Sequence, residues 1–237
     1  MPKQKGVPMK KRVNSQTAED YLKSIHSLEE GDARVKTSLL AKRLGLTPGS
    51  VTDMLKRLSQ ADPALIDYQH HRGVKLTDEG RRVALSVVRR HRLLESFLYQ
   101  VLGFGWDEVH QEAEILEHHL SERVTDALDR LMNHPKFDPH GEAIPSKAGK
   151  VRKAAQICLS EVEAGATVRV VRVDPRQNEM LQYLDELGIG VGTRIAVEER
   201  APFNGPIRLR IGSKGARRVQ TVGREILDHI YVAPLPA

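Results

Sequence analysis

Apolar and polar positions follow a helical period along most of the first 135 residues. Apolar side chains recur every three to four residues within each of six segments, which predicts six helices. Their expected bounds are about 15–30, 38–44, 48–60, 77–102, 106–122 and 124–132. Between the third and fourth helices, two short apolar runs predict a strand pair, Leu65–Tyr68 and Gly73–Leu76, joined by four polar residues.

A short helix, a turn and a second capped helix stand near the N-terminus. We expect Thr37 to cap the first helix and Gly45 to end it. Thr47 is expected to cap the next helix, with Pro48 in its first position. This order is typical of a helix-turn-helix, and the strand pair after it is typical of a β-wing. The sequence therefore predicts a winged helix-turn-helix whose recognition helix begins after Thr47.

Beyond residue 150 the period changes from helical to alternating. Strands are predicted at Thr167–Val173, Thr193–Glu198, Ile207–Ile211 and Ile230–Val232, with a helix at Gln177–Leu187. Several short strands within about 70 residues are typical of a small, partly closed β-barrel. The expected fold class is therefore mainly α with a small β part.

These segments divide the chain into five expected parts. They are a disordered basic N-terminus (1–14), a winged helix-turn-helix domain (15–80), a helical domain (81–135), a linker (136–160) and the C-terminal β domain (161–237). The linker is predicted because the region around residues 133–150 is rich in Pro, Gly, His and Lys.

The composition is that of a globular protein, with 237 residues of which 40% are hydrophobic and 29% charged. The one cysteine, Cys158, excludes an intrachain disulfide. No apolar run reaches the length of about 18 residues that a membrane span needs, and the basic start of the chain lacks the apolar stretch of a signal peptide. We therefore expect a cytoplasmic protein without a membrane partner.

Charge is distributed unevenly along the chain. Residues 1–100 carry 19 Lys and Arg residues against 11 Asp and Glu residues, whereas residues 101–140 carry 3 against 9. A basic N-terminal part is typical of a nucleic-acid interface. The residues expected to contact double-stranded DNA are Thr47, Gly49, Ser50, Thr52, Lys42, Arg43, Lys56, Arg57 and Arg72. Asp53 either accepts a hydrogen bond from a cytosine amine or caps the helix, and the sequence leaves both roles open.

Four potential metal ligands share one face of the predicted helix 106–122. They fall within about 100° of arc, whereas His119 points away; the four are His110, Glu114, Glu117 and His118. His91 and Glu95 form a second pair, one turn apart on the preceding helix. Imidazoles and carboxylates in this pattern are hard to bury without a cation, so they predict a site for a Mn, Fe or Zn ion. The isolated histidines are expected at the surface or in turns: His26, His70, His71, His134, His140 and His229.

The order of these motifs resembles a known family. A winged helix, then His91-Arg-Leu-Leu-Glu95, then the ligand-rich segment from His110 to His118, is similar to the diphtheria toxin repressor (DtxR)/MntR family of metal-dependent transcriptional regulators over about residues 15–135. The segment Leu184–Thr193 resembles the SH3-like (FeoA-type) domain that longer members append.

The resemblance implies two metal sites per subunit. The regulatory site would take Asp20, Glu114, Glu117 and His118, with a backbone carbonyl as a further candidate. The ancillary site would take His91, Glu95 and His110, with further ligands from the C-terminal domain, where Gln177 and Glu179 are the nearest candidates.

Two positions bear on the identity of the metal. Iron-sensing members have methionine and cysteine where this chain has Asp20 and Glu114. Hard carboxylates suit Mn²⁺ better than soft sulfur ligands do, so we expect Mn²⁺, with Fe²⁺ second. Manganese members with a binuclear site have a glutamate at the position of Lys23, so we expect a separate ancillary site here.

The implied function is that of a metal-dependent regulator that represses metal-uptake genes. A homodimer, held by apolar faces around Leu94, Phe97, Leu98 and Leu116, would bind a palindromic operator when metal is bound. No enzymatic activity and no small-molecule substrate are expected.

Two other interpretations stay open at this point. The chain could be a winged-helix regulator that responds to an organic ligand, with the His/Glu stripe purely structural. It could also be a metal hydrolase with Glu112 or Glu122 as its base, although no HExxH motif, phosphate loop or catalytic triad supports one. The C-terminal barrel could alternatively bind peptides.

Overall fold

The computed structural model describes residues 15–29, 31, 33–152, 155–174, 178–212 and 218–235. The chain separates into two compact units, Met1–Val88 and Arg89–Ala237, with the division inside a long helix. The expected disordered segment 1–14 lies outside the described residues. Within the described ranges, none of the helices is both long enough and apolar enough to cross a membrane.

The first unit is a winged helix-turn-helix, as the sequence predicts. Its elements are α1 (Ser15–Leu28), α2 (Thr37–Leu44), α3 (Pro48–Ser59), β1 (Ile66–Gln69), β2 (Gly73–Leu76) and the first part of α4 (Asp78–Gln100). The two strands pair antiparallel, with Ile66 opposite Leu76. The apolar faces of the three short helices meet in one core, whose fully buried members include Leu22, Ile25, Leu40, Leu55 and Leu58.

The turn between α2 and α3 positions the recognition helix. Gly45 adopts a left-handed conformation with φ of 65°, as the end of α2 requires. The Thr47 hydroxyl accepts a hydrogen bond from the Ser50 N–H, and Pro48 occupies the first position of α3. The prediction that Thr37 caps α2 is wrong: Lys36 is the N-cap residue and its carbonyl, rather than any side chain, accepts the first helical hydrogen bonds.

The expected single helix over 106–122 is wrong as well. Instead, α5 (Val109–Leu116) is followed by a 3-10 turn, Glu117–His119, and then by α6 (Glu122–Leu131). The helix breaks because Leu120 is extended and because the Ser121 hydroxyl caps α6 by accepting from the Val124 N–H. The predicted ligand stripe is therefore bent after Leu116, which turns Glu117 and His118 away from a straight continuation of α5.

The described residues of the C-terminal part of the second unit form a six-stranded antiparallel sheet, two α-helices and a 3-10 turn at Leu159–Glu161. Its elements are β3 (Ile157–Cys158), β4 (Thr167–Val173), α7 (Asn178–Leu187), β5 (Arg194–Arg200), β6 (Ile207–Ile211), β7 (Arg218–Val222), α8 (Arg224–Leu227) and β8 (Ile230–Pro234). The strand order is β3-β8-β4-β5-β6-β7. Alternate residues of β4, β5 and β6 are buried and pack with the apolar face of α7. The hydrophobic pattern predicts β4 and β6 with the bounds that the structure has, but it does not predict β3, β7 or α8.

The stretch between α6 and β3 is held to α4 by arginines. Arg89 donates to the Pro145 carbonyl at 2.9 Å, and Arg92 donates to the Ala143 carbonyl at 2.7 Å. A short antiparallel bridge joins Phe137 to Ala143. Residues 136–146 of the segment that the sequence assigns to a linker therefore form an ordered turn against α4.

Candidate metal centre

Helix α4 brings two ionisable side chains into the interior of the second unit. His91 and Glu95 lie one turn apart, and their side chains are 7% and 1% exposed. The distance from His91 Nε2 to Glu95 Oε1 is 2.9 Å. A helix positions two such groups on one face because residues four apart are neighbours on its surface.

His110, from α5, completes a triangle of donor atoms with this pair. Its Nδ1 atom lies 3.0 Å from His91 Nε2 and 3.0 Å from Glu95 Oε1. Adjacent ligands of an octahedral metal with bonds of about 2.1 Å are about 3.0 Å apart. The three atoms are thus spaced as ligands of one small divalent cation are. The sequence predicts these residues as a set, and the structure brings them together.

Glu117 occupies the other side of His91. It is fully buried, with Oε2 2.6 Å from His91 Nδ1 and Oε1 3.4 Å from His118 Nε2. Glu114 is more exposed, and its Oε1 atom lies 3.7 Å from His110 Nε2 and 4.0 Å from His91 Nδ1. The Glu117 carboxylate therefore connects the predicted regulatory residues to the predicted ancillary residues through a single imidazole.

A further cluster was missed by the sequence analysis. Asp138 and His140, in the turn after α6, lie beside Glu95, and all three side chains are buried. His140 does lie in a turn, but the expectation that it is an isolated residue without a role is wrong, because it is fully buried against other ionisable groups. The helical periodicity that revealed the other ligands has no counterpart in a turn. The available signal was the close spacing of Asp138 and His140 next to Gly141.

The His140 ring is oriented by one hydrogen bond, between Nε2 and the Trp106 carbonyl at 2.7 Å. Because a carbonyl only accepts, Nε2 carries the proton and Nδ1 carries a lone pair. The Nδ1 atom is buried without a hydrogen-bond partner among the described residues and lies 3.7 Å from Glu95 Oε1. A neutral imidazole with one nitrogen anchored to a carbonyl and the other free is the usual arrangement of a metal ligand.

The ionisation of this cluster reflects its burial. Burial raises the pKa of the Asp138 carboxyl well above its usual range, and the charges of Glu95 and Glu142 add to that shift. Burial opposes ionisation of Glu95 too, but the attraction of His91 and hydrogen bonds from His110 and His91 hold the pKa of Glu95 well below its usual range. Burial lowers the pKa of His140, which keeps the imidazole neutral. Arg92 Nε lies 3.6 Å from Asp138 Oδ2 and offsets only part of this penalty, so the two buried carboxyl groups favour a proton or a cation between them.

The turn that carries Asp138 and His140 is fastened on two sides. Asp138 Oδ1 accepts from the backbone N–H groups of His140 and Glu142, each at 2.9 Å. On the β-sheet side, the Val173 N–H donates to the His140 carbonyl at 2.9 Å. Gly141, at φ of 85°, packs so closely that an added Cβ would lie 2.0 Å from the Val171 carbonyl oxygen. The candidate ligands are therefore positioned by strand β4 as well as by α4.

The remaining predicted ligands lie on other elements or outside the described residues. Gln177 lies outside the described residues. Glu179 is exposed on the first turn of α7 and belongs to none of the His and carboxylate groups found in the described ranges. Asp20 is half-buried on α1 in the first unit.

The apolar surface predicted for dimerisation needs a correction. Leu94 and Leu98 are only 4% exposed within a single chain, because they pack inside it. The exposed large apolar residues of the helical part are instead Tyr99, Val101, Leu102, Phe104, Ile115, Leu116, Val124 and Leu131. Of the predicted set, Leu116 alone is among them.

The residues predicted to face DNA are largely exposed in the first unit. Thr47, Gly49 and Ser50 are exposed at the start of α3, while Thr52 is half-buried and donates its hydroxyl hydrogen to the Pro48 carbonyl. The predicted cationic residues are all exposed: Lys42, Arg43, Lys56, Arg57 and Arg72. The surface around the N-terminal end of α3 is thus small, polar and flanked by positive charge, as a recognition helix needs.

Three family models match consecutive parts of the chain. They are the iron-dependent repressor N-terminal DNA-binding domain over residues 14–74, the iron-dependent repressor metal-binding and dimerisation domain over 77–146, and the FeoA domain over 157–234. The iron-dependent repressor IdeR of Mycobacterium leprae (strain TN) is 32% identical in an alignment of 194 positions that covers 77% of this chain and 84% of that protein. The chain belongs to the diphtheria toxin repressor family.

Other DtxR-family proteins match part or most of the chain. The regulator MntR of Bacillus subtilis (strain 168) is 34% identical over 126 residues, 53% of this chain and 87% of MntR. A solved manganese-dependent transcriptional repressor in complex with manganese is 38% identical, covers 92% of this chain and 100% of its own, and superposes with a TM-score of 0.83. ScaR with bound Zn²⁺ is 31% identical over 92% of this chain and 99% of its own, with a TM-score of 0.75. The DtxR family consists of DNA-binding transcriptional regulators, and this member has its DNA-binding, metal-binding and FeoA domains.

Proposed function

We propose that this chain is a metal-activated transcriptional repressor that binds a palindromic operator as a homodimer, with Mn²⁺ as the preferred activator and Fe²⁺ second. The observation that carries the proposal is the buried cluster around His91, in a chain whose first unit is a winged helix-turn-helix. Buried imidazoles and carboxylates at ligand spacing are costly to keep without a cation.

The side chains present fit a divalent cation of this class. The donor triangle of His91, Glu95 and His110 has the edge lengths of a metal coordination shell, and His140 offers a free buried nitrogen. All candidate donors are nitrogen or oxygen atoms, and neither set contains a thiolate or thioether. Such a set suits Mn²⁺ and Fe²⁺, whereas soft sulfur donors suit Cu(I) or Zn²⁺.

We assign two sites per subunit on this basis. Glu117 and His118 belong to the regulatory site, to which the family resemblance adds Glu114, Asp20 of α1 and a backbone carbonyl. The ancillary site contains His91, Glu95 and His110, and we add Asp138 and His140 as further ligands on the Glu95 side. The His91–Glu117 contact joins the two sites, so occupation of one orients a ligand of the other.

A bound cation supplies the positive charge that cancels the repulsion among these carboxylates. The chain's own residues convert that change of charge into a change of conformation. Glu117 is held by His91 and His118, and in the proposed state it faces Asp20 without repulsion, which selects one arrangement of α1 and hence of the recognition helix. The exposed apolar residues of α5 and α6, such as Ile115 and Leu131, form the dimer face in this proposal.

The test is a fluorescence anisotropy titration of the full chain on duplexes selected from a randomised library in the presence of Mn²⁺. Binding is measured at fixed salt with chelator, Mn²⁺, anaerobic Fe²⁺ and Zn²⁺. We expect Mn²⁺ and Fe²⁺ to tighten binding by about 100-fold over chelator. Equal affinity in chelator would contradict the proposal and would favour a winged-helix regulator that responds to an organic ligand.

Asp138→Asn is expected to lower the metal content of the full chain from two Mn²⁺ ions per subunit to one. The amide keeps the volume but removes the negative charge that the carboxylate can offer to a cation beside Glu95, so the ancillary site weakens while Glu117 and His118 remain. Metal titration calorimetry with elemental analysis measures this. Asp126→Asn, which removes a half-buried carboxylate paired with Lys147, is the matched control and should keep two ions. An unchanged count in Asp138→Asn would remove this residue from the site.

A further inference from the structure

The exposed face of the recognition helix carries one negative charge. Gly49, Asp53, Lys56, Arg57 and Gln60 recur at spacings of four, three, one and three residues, which places them on one stripe of α3. All five are exposed, while Val51, Leu55 and Leu58 face the core. Asp53 is thus the single acidic residue on a surface that the proposed function presents to DNA.

The structure removes the local role that the sequence left open for Asp53. The N-cap of α3 is Thr47, and Asp53 lies in the sixth helical position, too far along to reach the free N–H groups of the first turn. Within the described part of the chain, its carboxylate has no hydrogen bond and no ion pair, even though Lys56 and Arg57 lie on the same stripe. Neither helix stability nor a local ion pair therefore accounts for this carboxylate.

A carboxylate on a DNA-facing surface also has a cost. It is repelled by phosphates, so its favourable partners are hydrogen-bond donors on base edges in the major groove. Guanine offers only acceptors there, and thymine offers an acceptor and a methyl group. Adenine places its N7 acceptor next to its amine, which opposes an anion. Cytosine alone offers an amine with no acceptor of its own beside it in that groove.

The helix surface next to Asp53 allows this short side chain to reach a base. Gly49 lies one turn earlier, and a Cβ added there would meet nothing closer than the Thr47 hydroxyl oxygen at 4.0 Å. Because Gly49 has no side chain, nothing projects from α3 at that point. The base edges on the floor of the major groove can therefore approach the helix backbone closely. Recognition helices direct this N-terminal half at base edges.

We propose that Asp53 reads a cytosine in each operator half-site, its carboxylate accepting a hydrogen bond from the cytosine N4 amine. The inference rests on the proposed function, since it requires an operator. Because a homodimer presents two copies of α3, the operator should contain the same C·G pair at symmetric positions of both half-sites. Asp53 then determines sequence specificity, while Lys56 and Arg57 contribute affinity through the phosphates.

The experiment is selection of duplexes from a randomised library with Mn²⁺ by the full chain and by Asp53→Asn, followed by anisotropy on duplexes with each base at the selected positions. We expect the wild type to select a symmetric cytosine and to lose about 10- to 100-fold in affinity when it is replaced. The asparagine, of equal size, should lose that preference in favour of adenine, whose N6 and N7 groups match an amide.

Two further variants separate base reading from simple charge. Lys56→Gln should weaken all duplexes to a similar extent and reduce the salt dependence by about two units, one for each subunit of the dimer, without changing the preferred base. Asp185→Asn, an exposed carboxylate on α7, should change neither quantity. A cytosine preference that persists in Asp53→Asn overturns the inference while leaving metal-activated repression intact. Absence of any metal-dependent binding by the wild type overturns both.

Discussion

Glu117→Gln is expected to reduce the metal-dependent gain in operator affinity from about 100-fold to almost none. Glu117 is fully buried and contacts imidazoles on both sides, His91 at 2.6 Å and His118 at 3.4 Å. The amide keeps the shape of the side chain but removes the negative charge that a divalent cation requires. It also replaces the charge-assisted contact with His91 by a weaker neutral one, so both proposed sites should bind Mn²⁺ more weakly.

The measurement is anisotropy on the selected duplex in chelator and in Mn²⁺, together with the circular dichroism of the variant. His119→Gln provides the control, because this imidazole is adjacent to His118 in sequence but exposed and outside the clusters of the described residues. It should retain the full metal response. A Glu117→Gln protein that is folded and still responds to Mn²⁺ as the wild type does would show that the regulatory site lies elsewhere. Asp20→Ala, tested in parallel, should also lose the response, because the proposed regulatory site includes Asp20.

Gly141→Ala is expected to destabilise the second unit by about 3 kcal/mol and to weaken ancillary Mn²⁺ binding by about 10-fold or more. The added methyl group would lie 2.0 Å from the Val171 carbonyl oxygen and 2.9 Å from the Arg172 Cα, so the turn must move away from β4. That movement breaks the hydrogen bond from the Val173 N–H to the His140 carbonyl and displaces the His140 ring. The left-handed φ of 85° adds a conformational penalty.

Gly165→Ala is the control that distinguishes the steric clash in Gly141→Ala from the penalty of its left-handed backbone conformation. Gly165 has a similar φ of 88°, but a Cβ there would meet no atom within 4 Å, so only the backbone penalty of about 1 kcal/mol is expected. Urea unfolding followed by tryptophan fluorescence compares the variants, because the single tryptophan, Trp106, stacks on His140 at a ring separation of 5.9 Å. Equal losses in the two variants would show that the packing of the turn against β4 contributes nothing.

Local patterns predict the helices and most strands of this chain well. The hydroxyl cap of Thr47, the proline after it and the glycine at the end of α2 act within a few residues, so sequence alone places the recognition helix. The strands β4 and β6 are predicted from alternation for the same reason, since each buries one face. Short elements such as β3 and α8 are not predicted, because two to four residues are too few to show a hydrophobic period.

The candidate metal ligands also fall into two groups, those that local sequence patterns predict and those that they do not. His91 with Glu95 and His110 with Glu114 could be found from sequence, because spacings of four residues on helices place each pair on one face. Asp138 and His140 could not, since a turn has no period and since Glu95, their partner, is more than 40 residues away in sequence. Only the contact of the turn with α4 and β4 decides that they are buried together. The break after Leu116 is a further case: residues on both sides favour a helix, but Leu120 is extended and the Ser121 cap begins a new helix, α6.

The sequence alone thus determined which residues are candidates for contacting DNA and for binding metal. It could do so because helix caps, hydrophobic periodicity and local charge depend on residues close together in the chain. Tertiary structure decided which of those residues meet. Burial and packing between distant segments place Glu117 between His91 and His118, make His140 an interior residue, and leave the Asp53 carboxylate exposed on α3. These outcomes depend on long-range contacts, and no local pattern records them.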